Sequence, residues 1–110
     1  MNLELRSAVP ADFAEIHALS VRAESHDRLP VARPLAEFEE WSSDAHLDMS
    51  RDTRVATEGG RTVAWARIWH RPSGKREERA YLFGAVDPAS RGLGIGRVLL
   101  AWQIERAGEL

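Results

Sequence analysis

Apolar residues change their spacing several times along this chain, and each change marks an expected element. Asn2 to Arg6 alternates, with Leu3 and Leu5 on one face, which predicts a short strand. Pro10 suits the first position of a helix and Asp12 its positive end, and Phe13, Ile16 and Leu19 then recur at helical spacing. From Ala23 to Arg33 the pattern breaks, and Pro30 and Pro34 bracket an expected loop. Leu35, Phe38 and Trp41 mark one face of a second short helix, whose other face carries Glu37, Glu39 and Glu40.

The second half reads as a meander. Arg54 to Thr57, the pair Gly59-Gly60 and Thr62 to His70 predict a β-hairpin, because two glycines accept the positive φ angles of a two-residue turn. In its second arm Val63, Trp65 and Trp69 share one face while Ala64, Ala66 and Ile68 share the other, so both faces are expected to be buried. Pro72-Ser73-Gly74-Lys75 makes the next turn, and Arg79 to Val86 returns as another apolar strand. Gly84 inside it marks either a bulge or a place where another backbone comes close. Ile95, Val98, Leu99 and Trp102 then follow at helical spacing. The order β-α-α-β-β-β-α predicts an α+β domain with a mainly antiparallel sheet flanked by helices, occupying residues 1–110.

Composition narrows the function classes. With 44% hydrophobic and 29% charged residues the chain has ordinary globular proportions. No apolar run approaches the ~20 residues of a membrane helix, and the N-terminus lacks the basic flank and apolar centre of a signal peptide, so a cytoplasmic protein without a membrane partner is expected. The absence of cysteine excludes disulfide staples, thiolate zinc sites and a cysteine acyl-enzyme. His17, His26, His46 and His70 show no paired metal-ligand spacing, and no metal is assigned. Residues 1–50 hold ten acids and four bases, while residues 51–80 hold eight bases and four acids. The Arg-rich span from Arg61 to Arg79 raises nucleic-acid binding as one reading, but those arginines alternate with apolar strand residues and the net charge is −2, so no nucleic-acid partner is expected.

The chemistry concentrates where the last strand meets the last helix. Asp87-Pro88 ends the strand, and Gly92, Gly94 and Gly96 occupy alternate positions immediately before helical spacing resumes. Glycines there let backbone N–H groups turn toward a ligand, and the helix start adds unpaired donors and the positive end of its dipole. That pattern alone points to an anion at a helix start, a site that a diphosphate fits. A dinucleotide fingerprint would need its third glycine at Arg97, and no Gly-Lys-Ser/Thr of an NTPase loop occurs.

The string Val86-Asp-Pro-Ala-Ser-Arg-Gly-Leu-Gly-Ile-Gly96 resembles the acyl-CoA-binding signature of the GNAT (general control N-acetyltransferase) superfamily, an Arg or Gln, two residues, Gly, one residue, then Gly or Ala, here Arg91, Gly94 and Gly96. The resemblance implies acetyl-CoA as cosubstrate. Backbone amides of Arg91, Gly92, Leu93, Gly94, Ile95 and Gly96 would hold its pyrophosphate, Ala85 and Val86 would lie beside the pantetheine arm, and Arg97 would face a phosphate or solvate the first helical turn. It also implies a polarising backbone donor between Phe83 and Val86, an acceptor pocket built partly by the Glu37–Glu40 region, and a strand acid as base, for which Glu78 is the candidate. A tyrosine proton donor on a later helix has no counterpart; Tyr81, the one tyrosine, reads as a core aromatic, as do the four tryptophans.

Family members continue into another strand, a helix and a final strand. Their absence here leads to the expectation of a C-terminally incomplete fold whose exposed sheet edge pairs with another copy, or of a piece of a longer or tandem acetyltransferase. Two functional readings therefore stand: an N-acetyltransferase acting on a small or peptide primary amine by direct attack, and an acyl-CoA-binding or assembly module without turnover.

Overall fold

The computed structural model describes residues 2–29, 33–70 and 80–109. β1 (Leu3–Arg6) leads through a 3-10 turn at Pro10–Asp12 into α1 (Phe13–His26). A short α2 (Leu35–Glu39) runs into a 3-10 turn, α3 (Met49–Asp52) follows, and β2 (Thr53–Glu58), β3 (Arg61–His70) and β4 (Ala80–Val86) lead to α4 (Ile95–Gly108). The strands form one antiparallel sheet in the order β1-β2-β3-β4, so the expected α+β architecture is the observed one.

Two local expectations change. Helix α1 continues through Ala23 to His26, and the loop starts only at Asp27, because Ala23 packs into the core and keeps the buried stripe going one further turn. The single turn α3 is too short to show a period; it is nucleated by Asp48, whose carboxylate accepts a hydrogen bond from the Ser50 amide at 3.0 Å.

The sheet is covered on both faces by different chemistry. Toward α1 and α2, Trp65 and Val55 join Phe13, Ile16, Leu19, Phe38 and Trp41 in an aromatic-rich cluster. Phe38 meets Trp65 edge-on at 5.7 Å between ring centres, and Trp65 Nε1 donates to Ser20 Oγ at 2.8 Å, which fixes the sheet to α1. Toward α4 the strands offer Ala56, Ala64 and Ala66, small enough for Ile95 and Leu99 to lie close. Val63 belongs to this second cluster, not to the face of Trp65 as strict alternation predicts. The β2–β3 register shifts between Ala56 and Thr57, beside Val63, and such an irregularity resets which face a side chain occupies.

Gly59 (φ +58°) and Gly60 (φ +81°) make the predicted hairpin turn. Gly84 is no bulge: the β3–β4 register runs evenly from Ala64↔Val86 to His70↔Ala80. The glycine is there because β3 comes close, since a Cβ would stand 2.7 Å from the Trp65 carbonyl oxygen. The predicted Pro72–Lys75 turn and residue 79 lie outside the described residues. Gly84→Ala is therefore expected to destabilise the protein by about 1–3 kcal/mol through overpacking against backbone, read as a lowered urea midpoint by tryptophan fluorescence; an unchanged midpoint would contradict the close approach.

Candidate functional site

Strand β4 delivers the chain to Asp87, and this one acid builds the turn that follows. Its main-chain N–H donates to the Val63 carbonyl at 2.8 Å, its carboxylate accepts from the Ala89 amide at 3.1 Å, and its carbonyl accepts from the Ser90 amide at 2.8 Å. Its side chain is nearly buried, with Arg22 at 2.8 Å and Arg61 at 3.6 Å. Burial pushes the Asp87 carboxyl up, but the Arg22 hydrogen bond and the Ala89 amide together bring it below the usual range. The residue that ends the strand in sequence also ties α1, β3 and the turn together.

Beyond that turn Gly92 and Gly94 take left-handed φ angles of +80° and +84°, and α4 begins at Ile95 with Gly94 as its N-cap. The consequence is a row of unused donors. Among the described residues, no hydrogen bond is donated by the main-chain N–H of Gly92, Leu93, Gly94, Ile95, Gly96 or Arg97. A Cβ on Gly92 or Gly94 would meet nothing within 4 Å, so these glycines are there for their backbone angles and for open space in front of them. Gly96 already lies in the first helical turn, 3.6 Å from Val86 Cγ2 by its ideal Cβ.

These donors border a cleft of about 500 Å³ between β4 and α4. Of the positions singled out in sequence, Ala85, Val86, Arg91, Gly92, Gly94, Ile95 and Gly96 line it; the Leu93 and Arg97 side chains are exposed outside it. Glu78 lies outside the described residues. Phe83 and Gly84 line the cleft too, which keeps the Phe83–Val86 main chain beside it.

Arg91 has a different job from a phosphate ligand. Its guanidinium forms a two-point pair with Asp27 just past the C-terminus of α1, at 2.6 and 2.9 Å, and its Nε donates to the Val86 carbonyl at 3.3 Å. The side chain fastens the loop, and the Arg91 main-chain N–H turns back onto the Pro88 carbonyl at 3.4 Å, so of the six amides expected to hold a pyrophosphate that of Arg91 is already engaged and those of Gly92 to Gly96 stay open. This pair, aided by His26 at 3.2 Å, holds the Asp27 carboxyl down at about 2.

Periodicity along α4 missed one functional side chain. Gln103 occupies the buried stripe Ile95, Leu99, Gln103, and its Nε2 donates to the carbonyls of Arg67 at 3.0 Å and Phe83 at 2.8 Å, bridging β3 and β4 at the cleft floor. A polar residue in a four-residue apolar repeat was the available signal. Val98, read in sequence as part of that stripe, is exposed instead. Tyr81 is also not a core aromatic: it is 46% exposed at the sheet edge, tilted against Trp69 at 5.1 Å. Trp41 and Trp65 are buried as expected, and Trp102 is half-buried beneath the Arg54 guanidinium at 4.8 Å.

On the opposite face of the sheet a broader cleft of about 810 Å³ is lined by Glu37, Glu40, Asp44 and His46 with Trp41, Trp69 and Phe83. Phe83 lines both clefts, so the two approach each other at β4. Glu37, Glu39 and Glu40 are all exposed. Arg61 and Arg67, from the basic span, are paired with Asp87 and Asp44.

Because the folded Asp27 carboxyl lies below its unfolded value, its contribution to stability is complete above about pH 4 and is lost as pH falls toward about 2. Asp27→Asn should therefore weaken the protein at pH 7 and flatten that part of the acid limb in urea denaturation; parallel limbs for the two proteins would refute the pair.

This geometry has close counterparts. The sequence matches the Acetyltransferase (GNAT) family over residues 11–110. No match is found among curated proteins. Among solved structures, a GCN5-related N-acetyltransferase from Sphaerobacter thermophilus superimposes with a TM-score of 0.80 at 24% identity, over 97% of this chain and 32% of its own. A ribosomal-protein-alanine N-acetyltransferase from Brucella melitensis gives 0.74 at 29% identity, over 96% of this chain and 67% of its own. A second Brucella melitensis protein, a GNAT family acetyltransferase in complex with acetyl-CoA, gives 0.77 at 21% identity, over 98% of this chain and 70% of its own. This chain thus spans from about a third to somewhat over two-thirds of these structures. With the family profile covering all but its first ten residues, the chain belongs to the GNAT acetyltransferase family.

Proposed function

We propose that this chain is the cosubstrate-binding and catalytic core of an N-acetyltransferase that uses acetyl-CoA to acetylate a primary amine. The observation that carries the reading is the row of unengaged N–H groups from Gly92 to Arg97, opening on a cleft at the end of β4. An acetyl-CoA complex of a structural relative supports the choice of ligand.

The residues present suit that ligand. Main-chain donors at a helix start favour a diphosphate without requiring a lysine. The neighbouring wall, Val86, Ile95, Leu99 and Leu100, is apolar and suits a flexible arm with a thioester at its end. Acetyl-CoA supplies an acetyl group already activated as a thioester. The chain's task is to orient it, and the Phe83–Val86 main chain is the rigid element beside which oxyanion charge would be stabilised. The Gln103 side chain keeps β3 and β4 in fixed relation there. Glu78, two positions before β4 in sequence, stays a candidate base.

We infer further that β4, which pairs only with β3 among the described residues, takes a strand from a second copy along its other edge, where Tyr81 and Leu82 are exposed. A monomeric mass in light scattering would overturn this part.

Calorimetry with acetyl-CoA and thiol release over a panel of primary amines test the main reading; binding without thiol release would select the non-catalytic acyl-CoA-binding alternative. Gly94→Ala places a Cβ on a φ of +84°, so it is expected to cost about 1–2 kcal/mol of stability and to weaken coenzyme A binding about tenfold, roughly 1.4 kcal/mol. Val98→Ala, on the exposed side of α4, should leave that affinity unchanged.

A further inference from the structure

Between the C-terminal half of α1 and β4 lies a smaller cleft of about 210 Å³. It shares Trp65, Phe83, Gly84, Ala85 and Arg91 with the cradle cleft, so both open on the same short segment of β4. Glu24 of α1, partly exposed as a residue, lines this smaller cleft, and among the described residues its Oε2 is shielded from solvent with no hydrogen-bond partner.

Such an oxygen calls for a donor, since a carboxylate removed from water and left unpaired is among the costlier states a folded protein tolerates. The polar groups around it are already committed. Trp65 Nε1 donates to Ser20 Oγ, and that hydroxyl donates to the Ile16 carbonyl at 2.9 Å. Arg91 is held in its two-point pair with Asp27. The Arg33 guanidinium lies over the Phe83 ring, 5.1 Å from its centre. The acids singled out in sequence for an amine, Glu37, Glu39 and Glu40, are exposed and solvated, which weakens any pull on a cation.

We propose that Glu24 is the carboxylate that binds the ammonium group of the acceptor, setting its nitrogen against the Phe83–Ala85 segment of β4. This rests on the N-acetyltransferase reading above. A primary ammonium fits where other cations do not: it is compact, carries donors for Oε2, and leaves room for its substituent toward the broader cleft, which adjoins this one at Arg33 and Phe83. A proton passed from nitrogen to Oε2 breaks one N–H bond, forms one O–H bond, and leaves a neutral amine beside a neutral carboxylic acid. The group that orients the nitrogen thereby also frees its lone pair.

The test is direct binding of butylammonium, spermidine and Nα-acetyl-lysine amide, with tetramethylammonium as a cation lacking N–H donors, measured by calorimetry on the full chain saturated with coenzyme A. The wild-type protein is expected to bind at least one primary amine and not tetramethylammonium. Glu24→Gln is expected to weaken that binding at least tenfold with an unchanged coenzyme A affinity, and Glu24→Asp, which keeps the charge but draws it back, by a smaller factor. Should Glu24→Gln fail to fold, Glu24→Asp decides by the same comparison. Equal amine affinity in wild type and variant, or no binding of any primary amine, overturns the proposal. Thiol release from acetyl-CoA is followed in parallel. If amine binding depends on Glu24 but no thiol appears, the ammonium site stands and the acetyl-transfer reading falls. If thiol appears with the same amine KM in Glu24→Gln, the reading stands and the Glu24 site falls.

Discussion

A helix begins with N–H groups that its own hydrogen-bond ladder cannot reach, and nothing else among the described residues reaches those of α4. Leaving such a row unpaired is tolerable only where the loop is held rigidly and the donors face open space. The surrounding interactions do that holding. Asp87 braces the turn through main-chain bonds on one side and Arg22 on the other. Arg91 fastens the loop to the end of α1. The left-handed glycines then aim the donors outward at no steric cost. Unsatisfied polarity is thus gathered at one place, which is where a ligand can relieve it.

The sheet beneath that loop is asymmetric, and the asymmetry makes room for clefts on both sides of β4. Alanines toward α4 let the helix sit low on β2 and β3, with Gln103 reaching the main chain of β3 and β4. Interlocking aromatic rings toward α1 and α2 form a rigid wall whose edge, at Trp65 and Phe83, borders the smaller cleft. On the proposed reading, the same short strand segment would serve an anionic ligand on one side and a cationic one on the other. This separation by a strand suits a reaction that must bring a negatively charged donor and a positively charged acceptor together at one point.

Part of the acidic-early, basic-late charge is used in long-range pairing. Asp27 pairs with Arg91, Asp44 with Arg67 and Asp52 with Arg106, each joining an early acid to a late base across the fold. Among the described residues, Arg61 and Arg67 of the basic span are likewise tied to acids of other elements. Glu24 stands apart because among the described residues its Oε2 has no hydrogen-bond partner, Arg91 being held by Asp27 and Arg33 lying over Phe83.

Much of this was legible in the chain itself. Period-two and helical spacings located the strands and long helices because burial on a pleated or helical surface demands those spacings. The glycines after Asp87-Pro88 marked the loop whose amides stay open because backbone geometry is local. The register shift beside Val63, the exposure of Tyr81 and Val98, and the true end of α1 were not legible, since each depends on which neighbour comes to lie opposite. Gln103 showed only as a polar interruption, and its acceptors lie on strands distant in sequence. The motif marked the Arg91 backbone and said nothing of its guanidinium, which pairs with Asp27 because that residue, sixty-four positions earlier, folds back beside it. The unpartnered oxygen of Glu24 could come only from tertiary structure: a carboxylate is marked out by the absence of partners in space, and no spacing along a chain records that.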